Sequence, residues 1–143
     1  MWCVVRRPYP RGLAIGAGVA LAAVVARRLG RVAVTGGSMR PALEPGDRLL
    51  LVRRCSYRPG AVVAVPDPRA PERLLVKRVE RVLPDGRLEV LGDDPSASTD
   101  SRAFGPVDPA LVRGRAVWRY APPERTGPVR TRGTMPRRKG PAG

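Results

Sequence analysis

A chain of 143 residues holds one domain, and with 17 Pro, 16 Gly and only one Phe, two Trp and three Tyr it must build its core from Val, Leu and Ala. There is no His, which removes Ser-His-Asp and Cys-His mechanisms, and two cysteines, Cys3 and Cys55, make neither a disulfide framework nor a zinc cluster. The formal net charge of +15 gathers at the ends: +6 over residues 1–31, +4 over 32–120 and +5 over 121–143, so the middle is close to balanced.

That distribution argues against a nucleic-acid domain, which gathers basic charge on the folded body and interleaves aromatics. Basic ends suit anionic membrane lipids, or are solvated tails. Within residues 1–31, Gly12 to Ala26 is fifteen residues without a charge, flanked by Arg6, Arg7 and Arg11 before it and Arg27, Arg28 and Arg31 after it. As a helix it is about 22 Å long, short of a ~30 Å hydrocarbon core. A membrane anchor, a cleaved signal peptide and a soluble apolar helix all compete. The arginines directly after the apolar run make a poor cleavage site, which favours the anchor.

From Val32 the pattern turns to β. Strands are expected at Arg48–Val52, Ala61–Val65, Leu74–Val82, Arg87–Leu91 and Val112–Tyr120, with turns at Arg58-Pro59-Gly60 and Pro84-Asp85-Gly86. Short strands at this spacing predict a mainly β domain over 32–120, an antiparallel barrel or closed sheet. Residues 121–143, rich in Pro, Arg and Gly, are expected to be a disordered tail.

Three stretches carry candidate chemistry. The first is Gly36-Gly37-Ser38-Met39-Arg40-Pro41-Ala42-Leu43, followed by the turn Pro45-Gly46-Asp47. Glycines on one side and prolines on the other can hold a serine oxygen in a fixed direction, as a nucleophile requires, although a Gly/Pro connector with an incidental serine has the same composition. The second is Lys77, one of only two lysines among 27 basic residues, set in Leu74-Leu75-Val76-Lys77-Arg78-Val79. Strand alternation puts Leu75, Lys77 and Val79 on one face. Burial there would depress the amine toward a neutral, basic form, whereas a Lys that snorkels to solvent would stay charged. The third is Gly92 to Arg102, with four hydroxyls and three carboxylates in eleven residues. It can be a polar lid, a support for a site braced by Asp100 and Arg102, or a solvated loop. It lacks the ligand order of an EF-hand.

In order and spacing, Ser38-Met39-x-Pro41-x-Leu43, Pro45-Gly46-Asp47, Lys77-Arg78-Val79 and Gly92-Asp93-x-Pro95-x-x-Ser98-x-Asp100-Ser101-Arg102 resemble the motif boxes of the type I signal peptidase family, in a small member. The resemblance spans residues 12–120. It implies a serine endopeptidase that removes signal peptides or N-terminal propeptides, with Ser38 as nucleophile, Lys77 as general base and Ser98 steadying the lysine. It implies no cofactor or metal. The oxyanion hole would use the backbone N–H of Ser38 itself, with Gly36 and Gly37 as its supporting residues and any second donor from the backbone. Some family members carry a serine at the position of Gly36. The substrate would be an extended peptide segment of a precursor, with Met39, Pro41 and Leu43 as groove candidates or plain core residues. The implied address is the cell membrane, single-pass, with the catalytic domain outside the cytoplasm. Asp94 stands where the family usually has Asn. The shortness also resembles a subgroup that trims nickel-type superoxide dismutase precursors in the cytoplasm. A third reading is a non-enzymatic basic module that binds membrane or nucleic acid.

Overall fold

The computed structural model describes residues 11–133; Cys3 and the last ten residues lie outside them. The elements run α1 (Arg11–Arg28), β1 (Leu29–Ala33), β2 (Arg48–Val52), β3 (Val62–Asp67), β4 (Ala70–Val82), β5 (Leu88–Leu91), the one-turn helix α2 (Ser101–Phe104), β6 (Gly114–Ala121) and β7 (Gly127–Pro128). The sheet order is β1-β2-β6-β3-β4-β5, with β7 also on β6, and every pairing is antiparallel.

The expected mainly β, antiparallel domain is present, but the sheet is not closed. β1 and β5 remain its two edges. Closure would need these edges to pair. Instead β5 is four residues long and joins β4 only from Arg78 onward, so Leu74 to Lys77 keep one edge free of a strand. That opening, facing the end of β1, is where the candidate site lies.

β3 is buried along Val62 to Val65 because both of its faces are covered. Val62 and Ala64 pack with Met39, Leu43, Leu49, Leu51, Val76 and Ala116. Val63 and Val65 pack with Val79, Leu88, Val90 and Val107. Continuous Val/Ala is the composition that a strand inside two layers requires.

The helix α1 ends in Arg27 and Arg28 and runs straight into β1. Its residues from Ile15 to Arg28 are exposed, with Ile15 at 70% and Val19 at 66%. No helix among the described residues is long and apolar enough to cross a membrane, which corrects the expectation of a spanning segment. The helix has 18 residues, about 27 Å of rise, and Arg at both ends leaves fifteen uncharged positions. Nine of those fifteen are Gly or Ala, which contribute little on transfer to hydrocarbon.

Residues 121–133 also differ from expectation. Val129 packs on the first core cluster, its N–H bonds Val117 O at 3.1 Å, and Arg132 N–H bonds Gly60 O at 3.2 Å. The segment is therefore docked on the domain. Gly60, at φ +87°, is needed there, because a Cβ would lie 1.8 Å from the Arg132 carbonyl oxygen.

Candidate active site

Ser38 sits on a loop whose base is closed by Val34 N–H to Asp47 O and Gly46 N–H to Val34 O, both 2.8 Å. Two apolar anchors pin the loop: Met39 and Leu43 are 1% and 2% exposed in the core. The buried Asp47 carboxylate braces it further, accepting Glu44 N–H at 3.0 Å and the guanidinium groups of Arg119 and Arg125 at 3.1 and 3.2 Å. With the next residue locked in the core, the half-buried Ser38 has little freedom. Among the described residues its N–H has no backbone acceptor.

Lys77 lies opposite Val63 in the β3–β4 register, on the same face as Leu75 and Val79, as strand alternation anticipated. It is 2% exposed. Burial pushes its amine below the ordinary lysine value; the Asp100 carboxylate opposes this and the Arg102 guanidinium adds to it. Lys77 Nζ donates to Ser98 Oγ at 2.9 Å.

The Gly92–Arg102 loop is a scaffold, since each of its carboxylates holds a different partner. Asp93 makes a two-pronged, buried ion pair with Arg78 at 2.8 and 2.7 Å. Asp94 caps a short turn through Ser96 N–H at 3.0 Å, a bond that the carbonyl oxygen of Asn could equally accept. Asp100 accepts Ser98 Oγ–H at 2.7 Å, Gly92 N–H at 3.0 Å and Arg102 Nη2 at 2.6 Å. Burial acts to raise the Asp100 carboxyl, but the hydrogen bonds outweigh it and hold the group well below the carboxylate range.

The loop also touches the nucleophile candidate directly. Asp94 N–H bonds Ser38 O at 2.8 Å. Gly92 makes this approach possible, because a Cβ there would lie 2.2 Å from Ser98 Oγ and 2.8 Å from Ser38 O.

Ser38 and Lys77, 39 residues apart in sequence, line one cleft of about 120 Å³. Its walls are Ala33 to Gly36 with Ser38 and Met39 on one side, Leu74 to Lys77 on the other, and Ala97 and Thr99 at the loop. Met39 reaches the cleft from the core. Leu43 and Pro41 do not: Leu43 is buried in the core and Pro41 is exposed, so neither is a wall of this cleft. Spacing alone could not separate the three, since the turn beginning at Gly36 sends successive side chains in different directions. Gly36 is a wall; Gly37, Asp100 and Arg102 are not, and Asp100 joins Ser98 and Arg102 on the loop. Two wall residues had no sequence signal, Arg69 and Arg73, because nothing local distinguishes them from the other arginines.

Residues 80–121 match the family described as signal peptidase, peptidase S26. A mitochondrial ATP-independent inner membrane protease subunit 1a of Arabidopsis thaliana is 35% identical over 123 residues, covering 68% of this chain and 73% of the relative. A mitochondrial inner membrane protease subunit 2 of Danio rerio is 36% identical over 133 residues, covering 75% of this chain and 73% of the relative. The chain belongs to the S26 signal peptidase family. Membership supports peptidase activity of the signal-peptidase kind.

Proposed function

We propose that this S26 protein is a serine endopeptidase using a Ser38/Lys77 dyad to cut signal peptides or N-terminal propeptides from exported proteins. The observation that supports it best is a buried lysine sharing one cleft with the half-buried Ser38. The neutral Lys77 amine takes the Ser38 proton as the oxygen attacks the scissile carbonyl. The developing oxyanion rests on backbone N–H groups, that of Ser38 first. The carbon–nitrogen bond breaks as the Lys77 ammonium returns its proton to the leaving amine. Water then hydrolyses the acyl-enzyme with Lys77 again as base. Among the described residues Lys77 hydrogen-bonds Ser98 and not Ser38, so the Ser38–Lys77 hydrogen bond is one that this reading expects to form when a peptide fills the cleft.

The free edges of β1 and β4 flank the cleft, a setting in which an extended peptide adds as a strand. The exposed apolar helix α1, ending in Arg27 and Arg28, supports membrane association, with the arginines at anionic headgroups. The relatives named above are inner membrane proteases, which supports a membrane address; catalysis outside the cytoplasm is part of the proposal. The decisive experiment is cleavage of a signal-peptide-bearing precursor by the purified protein in detergent. Ser38→Ala and Lys77→Ala should each abolish it; normal cleavage by either variant rejects the dyad.

A further inference from the structure

The charged walls of the cleft are Arg69, Arg73 and Lys77, and among the described residues no Asp or Glu lines it. Lys77 is buried with its amine pushed toward the neutral form and Arg69 is ion-paired with Asp67, so Arg73 is the charge on the cleft wall without a direct partner. Arg69 is oriented by the buried Asp67, which accepts its Nε and Nη2 at 3.0 Å each. Arg73 makes no direct ion pair among the described residues, as is also true of Arg48 and Arg58, and interacts with the Asp67 carboxylate only at longer range. Its neighbour Glu72 is exposed and is not a wall of the cleft. A guanidinium without a direct ion-pair partner on the wall of the cleft offers N–H donors to a carboxylate.

The spacing places that carboxylate. Arg73 stands four residues before Lys77 on β4, about 13 Å along an extended strand. A peptide laid along the free edge of Leu74 to Val76 advances at the same rise. We infer that Arg73, with Arg69 beside it, selects precursors carrying an acidic residue about four residues, on one fixed side, from the scissile bond. This rests on the peptidase reading above and names a feature of its substrate.

The test uses the full-length protein in detergent and a set of quenched fluorescent peptides around one cleavage site. A single Glu is walked through six positions on each side and compared with Gln at the same position. The expected result is a Glu/Gln ratio of kcat/KM of about two to five at one or two adjacent positions, shrinking in high salt. The ratio should fall to about one in Arg73→Gln and below one in Arg73→Glu, where a Lys peptide should become the better substrate. Each ratio is internal to one variant, so a general loss of rate does not affect it. The same peptides are also titrated by fluorescence anisotropy onto Ser38→Ala. A Glu preference that disappears on adding Arg73→Gln supports the inference even if no peptide is cut, in which case only the peptidase reading fails. A flat Glu scan, or a preference unchanged by both Arg73 variants, overturns the inference and leaves the dyad untouched.

Discussion

Ser98 Oγ stands between Lys77 Nζ, 2.9 Å away, and the Asp100 carboxylate, 2.7 Å away. Its one proton is committed to Asp100, which is held ionised, so toward Lys77 it can only accept. The amine therefore spends an N–H on Ser98 and keeps its lone pair for another direction. The Ser98 hydroxyl thus works as an aiming device for the base.

Ser98→Ala should then leave the fold intact and misdirect the amine. The expected loss in kcat/KM is about a hundredfold, within the range that a positioned general base contributes. Ser98→Thr retains the hydroxyl and should recover most of it. Steady-state kinetics of both variants, with circular dichroism as a folding control, check this. Equal loss in Ala and Thr variants would show that the hydroxyl itself is not what matters.

The second expectation concerns pH. The base works as the free amine, so kcat/KM should rise with pH and level off at the folded-state pKa of Lys77, which lies below the ordinary lysine value. Stability is linked to the same proton. Between the lowered folded value and the ordinary one, the unfolded chain binds more protons, so stability rises with pH through that window. Below the window the cost of burying the ammonium is present in full. Lys77→Met removes this cost. The variant should be inactive yet more stable than wild type at pH 7, with the difference shrinking as pH approaches 10. Urea unfolding at several pH values measures it; a pH-independent difference would contradict a depressed amine.

The third concerns Gly60 and the segment that crosses it. Gly60→Ala meets two penalties, the φ of +87° and the Arg132 carbonyl oxygen 1.8 Å from the new Cβ. The expected cost is about 1–3 kcal/mol. In a chain truncated after Thr126 the second penalty disappears, so the same substitution should cost less. Denaturant unfolding of the four variants gives the coupling directly. Zero coupling would mean that residues 127–133 do not bear on Gly60 in solution.

These cases show where sequence reading stops. The strand Arg48–Val52, the Asp85-Gly86 turn and the shared face of Leu75, Lys77 and Val79 all follow from local alternation and turn chemistry, and the structure has them. That the sheet stays open, against the expected barrel or closed sheet, is not legible, because closure depends on whether β1 meets β5 and no local pattern encodes a partner across that distance. Residues 121–133 were misread for a related reason. Their composition is that of a disordered tail, but single side chains decide otherwise: Val129 fills a place in the core and Arg125 reaches the buried Asp47. The β3–β4 connection is tighter than the prolines suggest, with β4 beginning at Ala70. Pro71 is tolerated because the ladder between Ala70 and Leu74 is already broken there. Ser38 and Lys77, named by the motif boxes, share one cleft, and Ser98 and Asp100 are hydrogen-bonded behind Lys77. Spacing could not tell that Leu43 is a core anchor while Met39, four residues earlier, also reaches the cleft.

The last expectation starts from Gly36. It is a wall of the cleft two residues before Ser38, and a Cβ built there meets nothing within 4 Å. Its φ is outside the left-handed region, so a side chain is admissible without backbone strain. The glycine is therefore not required by packing. A hydroxyl at this position can swing toward the oxygen that develops negative charge, adding a side-chain donor to the backbone ones. Removing such a donor from an established oxyanion hole costs about 10²–10³ in kcat. Adding one without evolved support should return less, about tenfold in kcat with KM little changed, because the interaction strengthens only in the transition state. Gly36→Ala is the control: it adds the Cβ without the donor and should leave kcat near wild type. Kinetics of the two variants on one precursor peptide decide it. A gain shared by Ala and Ser would assign the effect to the loop backbone, and no gain in Ser would mean that position 36 does not face the oxyanion.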